Sequence, residues 1–268
     1  MLKNSKKLIG FFLFLATVTT LIFTSCNSEE NSNEPYYYNE ENKQRYEEYQ
    51  KKNPDLEKEE VIWRVEADID KVAYKENTKI LKSDEEDDIL LINKHFALRK
   101  DYIPKNLEEI VNGQKATSKT VKAYKKMAED AKKEGLVLNV RSGYRSIDLQ
   151  NKYYNNMKKE FGRKYADKYS SRPRFSEHHT GRALDLVAED WSFDNFEKTE
   201  SCKWLHENAW KYGFTLRYRK DTTDVTGYSY ESWHVTYVGR KAAKIIHDEN
   251  IKSLEEYWVK YVKYSPQK

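Results

Sequence analysis

The run Ser176-Glu177-His178-His179-Thr180-Gly181-Arg182-Ala183-Leu184-Asp185, joined further along by Glu231-Ser232-Trp233-His234, collects imidazoles, a carboxylate and a spare glutamate. That set suits a catalytic zinc site. Zinc enzymes that split amides use three protein ligands and leave the fourth position to water, whose pKa the metal lowers to about 7. A carboxylate that is not a ligand must then move the proton.

Strand alternation predicts how these residues meet. Along 183–187, Ala183 and Asp185 share a face with Gly181, while Leu184 and Leu186 turn to the core. Small residues beside the carboxylate leave room for an ion. His178 lies in the turn before that strand and can fold back to the same face, and His234, at the edge of a later strand, can arrive as a third ligand. Glu231, just before that strand, is the candidate base, and Trp233 would wall the site against water. On residue type alone, His179 rivals His178 as a ligand.

From about Leu90 to Tyr257 the chain resembles the zinc D-alanyl-D-alanine carboxypeptidases of the VanY-like group. Four motifs carry the resemblance, in order: Ser142-Gly143-Tyr144-Arg145-Ser146 with Gln150 downstream; the S-x-H-x-x-G-x-A-x-D run from Ser176 to Asp185; Tyr212-Gly213-Phe214 with Arg217-Tyr218; and Glu231-x-Trp233-His234-x-x-Tyr237-Val238-Gly239. The resemblance implies one Zn2+ held by His178, Asp185 and His234, with Glu231 as catalytic base. It selects His178 over His179. It also implies that Arg145 stabilises the oxyanion and that Ser176, Gln150 and Tyr218 hold the peptide. Three positions depart from the pattern: Ser232 stands where proline is common, His179 where Gln is common, and Arg182 where an apolar residue is common. His179 and Arg182 are expected to shape the rim of the cleft.

The positioning elements are legible in part. Ser118 to Glu134 places Val121, Tyr124, Met127, Ala128 and Ala131 at helical spacing before Gly135. Leu136 to Val140, Ala183 to Val187 and Trp233 to Val238 read as strands. Ser146 caps a helix from Ile147, a further helix spans Lys203 to Tyr212, and Ser253 with Glu256 forms a capping box for a last helix. Helices and strands do not alternate regularly, so the expected class is α+β, a small antiparallel sheet flanked by helices with the zinc site in a cleft on it.

Residues 1–25 read as a lipoprotein signal peptide: Lys3, Lys6 and Lys7 precede an uncharged run from Leu8 to Thr24, and Phe23-Thr24-Ser25-Cys26 resembles a lipobox with Cys26 as the lipidated residue. The alternative is a retained membrane anchor. Without those lysines the formal charge falls from +4 to +1, so no nucleic-acid partner is implied. Cys26 and Cys202 are the two cysteines, and Cys202 reads as a small buried residue. Between Asn27 and Glu60 the sole aliphatic residue is Leu56, so 26–60 is expected to be a flexible tether, with local helix from Gln44 to Lys52. Residues 61–88 read as a packing segment or linker, Val61-Ile62-Trp63 adding a strand or small packing piece, and Asp84 to Asp88 mark a boundary. The catalytic domain is then 89–262 and the tail 263–268.

These readings converge on a monomeric enzyme at the outer face of the membrane, lipid-anchored and facing the cell wall. Its expected action is removal of the terminal D-alanine from peptidoglycan stem peptides. Two alternatives stand beside it: an L,D-carboxypeptidase acting on tetrapeptide stems, and a non-catalytic wall-binding lipoprotein that keeps the fold. An intact base at Glu231 argues against the second, because a binding module has no need for a proton shuttle.

Overall fold

A four-stranded antiparallel sheet carries the chemistry, and its register explains why. The computed structural model describes residues 34–75, 79–80 and 89–264. The expected signal segment, Cys26 and the acidic cluster 84–88 lie outside the described residues. In chain order the elements are α1 (Lys43–Lys52), α2 (Lys58–Glu66), β1 (Lys79–Ile80), β2 (Phe96–Ala97), β3 (Leu107–Val111), β4 (Gln114–Thr117), α3 (Ser118–Lys133), β5 (Asn139–Ser142), α4 (Ile147–Phe161) and α5 (Arg163–Tyr169). There follow β6 (Ala183–Val187), α6 (Phe193–Phe196), α7 (Glu200–Asn208), β7 (Phe214–Leu216), α8 (Thr223–Thr226), β8 (His234–Tyr237), α9 (Arg240–Asp248) and α10 (Leu254–Trp258). The main sheet has the order β5-β6-β8-β7, and β3–β4 form a separate antiparallel hairpin. The class is α+β, as the irregular succession of elements predicts.

Alternation divides β6 as expected: Leu184 and Leu186 enter the main core with Val140, Phe214 and Val235, while Ala183 and Asp185 face the other way. The amphipathic α3 covers that core with Val121, Tyr124, Met127 and Ala131. Ser146 Oγ accepts from Leu149 N at 3.2 Å and starts α4 where the sequence places it. Helix α7 begins earlier than predicted, because Thr199 Oγ1 caps it by accepting from Cys202 N at 3.1 Å, and a 3₁₀ turn completes it over Ala209–Tyr212. At α10, Ser253 Oγ accepts from Glu256 N, whereas the Glu256 carboxylate turns back to Lys252 N, so the box closes one residue earlier. Cys202 is buried with a free thiol.

The amino-terminal expectations need correcting from residue 35 onward. From Pro35 the chain forms one compact unit with the rest, rather than beginning its fold at 89. Residues 43–52 are the helix expected locally, but Val61-Ile62-Trp63 lies on α2 and not on a strand. The physical reason is aromatic: Tyr37 and Tyr46 supply the apolar surface that aliphatic counting misses. They bury with Val61, Ile62, Trp63 and Val65 against Val259 and Val225. Polar ties add to this. Arg45 reaches Asp70, Asp68 and the Val65 carbonyl, and Lys263 donates to the buried Glu66 carboxylate, so Lys263 and Tyr264 belong to the fold and not to a tail.

Candidate metal centre

The β6–β8 register places Asp185 directly across from His234, and β5 sets Ser142 opposite Asp185 on the other side. His178 comes from a 3₁₀ turn, Glu177–Thr180, that ends on Gly181 at φ +66° just before β6. A Cβ on Gly181 would stand 2.9 Å from Leu107 Cδ2 and 3.2 Å from Thr117 N, so only glycine makes this turn. Gly143 is equally constrained, since a Cβ there would lie 2.4 Å from the Lys115 carbonyl oxygen. Its own carbonyl, brought close by that approach, accepts from His178 Nδ1 at 2.7 Å.

That contact fixes the ring. With Nδ1 donating to Gly143, the lone pair of His178 sits on Nε2, which faces Asp185 Oδ2 at 3.2 Å. His234 is turned the opposite way: Nε2 points to Glu177 Oε2 at 3.4 Å, and Nδ1 faces Asp185 Oδ1 at 3.0 Å and Glu231 Oε2 at 3.5 Å. The two imidazoles meet edge to face at 5.0 Å. One ligand atom from each of His178, Asp185 and His234 lies within 4.8 Å of the others, and all three residues are buried.

Two observations show that the set fits a metal ion. Asp185 Oδ1 is buried yet receives no hydrogen bond, because its contact with His234 lacks hydrogen-bonding geometry. An orphaned carboxylate lone pair at that depth calls for a cation. Charge says the same, since Asp185, Glu231 and Glu177 surround the two rings. Burial opposes it, but the negative carboxylates of Asp185 and Glu177 beside the ring push His234 up to about 10. Burial lowers His178, favouring the neutral ring a metal requires. Despite burial, the imidazoles of His178 and His234 hold Asp185 well below the usual carboxylate range. Two nitrogens and one carboxylate oxygen make a donor set suited to zinc.

Glu231 differs from the ligands in exposure and in charge. Its side chain remains about one-fifth open to the cleft, and burial pushes its carboxyl up to about 7, with Asp185 adding to the rise and His234 opposing it. A carboxyl near neutrality takes and returns a proton readily. Arg145 stands over the same opening: Nη1 donates to Gln150 Oε1 at 2.7 Å, Nη2 donates to Ser142 Oγ at 2.8 Å, and Nη2 is 3.8 Å from Asp185 Oδ2.

The predicted site residues therefore converge, with three changes of role. A cleft of about 510 Å³ is lined by Arg145, Gln150, Ser176, Tyr218, Glu231 and Trp233 together with the three ligand residues. Gln150 is buried with its amide already committed, Nε2 donating to Ser170 Oγ and the Ser171 carbonyl while Oε1 holds Arg145. It positions the guanidinium. His179 does not shape the rim: it is buried, Nδ1 donates to the Arg145 carbonyl at 2.7 Å and Nε2 accepts from Arg174 N at 3.2 Å. Both its nitrogens are thus committed, one to the loop that carries Arg145 and the other to the Arg174 backbone. Arg182 is also buried, and it does not line the cleft. Tyr218 packs its ring 4.8 Å from His234, and Trp233 packs on Phe193 at 4.7 Å to form a wall.

Sequence reading missed Glu177 and Arg217 as functional residues. Glu177 receives Arg217 Nε at 2.7 Å while its other oxygen meets His234, and Arg217 in turn pairs with Glu255 at 2.7 Å. Burial opposes it, yet Arg217 holds the Glu177 carboxyl down to about 2, so an anion always faces His234 Nε2. The available signal was position: Glu177 lies within the run that carries His178, and Arg217 beside Tyr218.

Comparison with known proteins agrees with this geometry. Residues 113–240 match the VanY family model, described as D-alanyl-D-alanine carboxypeptidase. The chain is 39% identical over 187 residues to the putative carboxypeptidase YodJ of Bacillus subtilis, covering 65% of this chain and 68% of that protein. It is 33% identical over 183 residues to a D-alanyl-D-alanine carboxypeptidase of Enterococcus faecium, covering 63% and 56% respectively. Among solved structures, the LdcB LD-carboxypeptidase superposes with a TM-score of 0.63 at 36% identity, over 70% of this chain and 94% of that one. VanYB in complex with D-alanine-D-alanine gives 0.57 at 30% identity, over 63% and 95%. The chain belongs to the VanY-like family of zinc D-alanyl-D-alanine carboxypeptidases.

Proposed function

We propose that the protein is a zinc-dependent D,D-carboxypeptidase that removes the terminal D-alanine from peptidoglycan stem peptides. The observation that carries this is the convergence of three buried, inward-facing donors with a near-neutral glutamate at the mouth of one cleft. Zinc held by His178, Asp185 and His234 supplies Lewis acidity and a water able to act as nucleophile at neutral pH. Glu231 accepts the proton of the attacking water and passes it to the leaving amine as the amide C–N bond breaks. Arg145, held by Gln150 and Ser142, places positive charge where the carbonyl oxygen becomes negative. Glu177 keeps His234 in the tautomer that presents Nδ1. Ser176, Tyr218 and Trp233 line the peptide's path.

A second reading, cleavage of tetrapeptide stems at an L,D bond, is favoured by likeness to the LdcB LD-carboxypeptidase and to the L,D-carboxypeptidase DacB of Streptococcus pneumoniae, the latter at 34% identity and a TM-score of 0.55. Side-by-side kinetics on pentapeptide and tetrapeptide stems separates the two. The D,D reading requires the higher kcat/KM on the pentapeptide, and preference for the tetrapeptide replaces it with the L,D one.

The same proposal places the enzyme outside the cell, facing the wall and attached through a lipid on Cys26, on the strength of the lipobox-like sequence and of a substrate found there. Among the described residues no helix is long and apolar enough to cross a membrane. Metabolic labelling with a fatty acid, compared between the natural chain and Cys26→Ala, tests the attachment.

A further inference from the structure

One face of α4 lines the cleft from end to end. Gln150 supports Arg145 at the metal end; Tyr153 and Met157 follow at helical spacing; Phe161 closes the far end. There an aromatic ladder begins and runs back along α5 beside the cleft. Phe161 packs on Tyr165 at 4.7 Å and Tyr165 on Tyr169 at 4.4 Å, both at 36° between planes. These rings are 53%, 42% and 42% exposed. Three large, part-exposed aromatics held in a ladder are not explained by the core, from which they are absent. Phe161 and Tyr169 also line the cleft, so the ladder is continuous with the catalytic site.

Length identifies what reaches it. From Gln150 to Phe161 the helix rises about 16 Å. Five extended peptide residues span about 16 to 18 Å. A stem pentapeptide with its carboxyl end at the ligand cluster, running along α4, therefore brings its amino end to Phe161. In peptidoglycan that end is joined to an amino sugar of the glycan strand. Sugar rings present flat C–H faces that pack on aromatic rings, and Asn156 and Glu160 beside the ladder offer polar partners for hydroxyl and acetamido groups.

We infer that Phe161 and Tyr165, the end of the ladder away from Gln150, form a glycan subsite that docks N-acetylated sugar rings of the strand bearing the stem peptide. This rests on reading the cleft as a peptidoglycan site. The subsite makes the enzyme favour glycan-linked stems over free peptides, and it places the cleaving module against the strand.

The test is binding without turnover. The zinc-loaded full chain carrying Glu231→Gln is titrated with a disaccharide-pentapeptide and with the same pentapeptide lacking sugar. The sugar is expected to tighten binding about two- to tenfold, an increment that Tyr165→Ser removes and Tyr165→Phe keeps. Equal affinity for the two ligands, equal weakening of both by Tyr165→Ser, or no binding of either overturns the inference. Tyr165 is exposed, so its variants keep the fold, which a thermal melt verifies. Sugar-dependent binding combined with no cleavage by the natural enzyme would instead refute the carboxypeptidase proposal while sustaining the subsite.

Discussion

At the scale of single residues, the site separates ligands from the proton carrier by what each atom already touches. His178 and His234 each spend one nitrogen on a fixed acceptor and turn the other inward, while Glu231 has no such commitment. Glu231→Gln is accordingly expected to cut turnover about 10²- to 10⁴-fold with zinc stoichiometry unchanged, measured by metal analysis alongside kinetics. His178→Ala and Asp185→Ala should lose metal and activity together. His179→Ala should retain the metal, because its nitrogens bond to backbone atoms of Arg145 and Arg174 and not to the cluster; metal loss in that variant would reverse the choice of ligand. Glu177→Gln keeps the shape but removes the anion facing His234, and a zinc affinity about 10- to 100-fold weaker is expected in chelator competition. The ligand set was legible from residue type, spacing and family pattern. The Glu177–Arg217–Glu255 chain was not, because it joins three elements distant in sequence and each member alone reads as a surface charge.

At the scale of elements, register does the positioning. Asp185 and His234 face each other because β6 and β8 pair antiparallel in a single register, and one step of slip would turn Asp185 into the core. Close backbone approaches complete the arrangement. Gly143→Ala should displace the Lys115 carbonyl and with it the loop carrying Arg145, lowering both melting temperature and kcat; an unchanged kcat would show that Arg145 does not depend on that approach. Strands β6 and β8 and helices α3 and α4 were visible in the sequence because alternation, 3.6-residue spacing and caps are local signals. The β5-β6-β8-β7 order was not, since strand order follows from tertiary packing that no local pattern encodes. Helix α2 was misread for a related reason: Val61-Ile62-Trp63 is a short apolar run, and its flanking Glu59, Glu60 and Arg64 belong to a helix whose inner face needed Tyr37 and Tyr46 to cover it.

At the scale of the whole molecule, the amino-terminal helices are part of the enzyme's frame from Pro35 onward. Trp63→Ala, which hollows out their contact with Val259, should cost about 3 to 5 kcal/mol in denaturant unfolding, whereas a free tether would register nothing. This docking is also acid-sensitive. Burial alone would raise the Glu66 carboxyl, but hydrogen bonds from Lys263, Tyr264 and Tyr46 outweigh it and hold it below the ordinary value of 4.5. Its stabilisation is therefore complete above about pH 4.5 and disappears as pH falls through the lower folded value. A melting temperature that declines in that window, with a smaller decline in Glu66→Gln, is the expected result. The frame holds the cleft in which the chemistry takes place. The decisive measurement is mass spectrometry of pentapeptide muropeptides incubated with the protein, with and without a chelator. Loss of one alanine residue that the chelator abolishes and added zinc restores is the predicted result; unchanged muropeptides, or a loss indifferent to the chelator, would contradict a zinc carboxypeptidase.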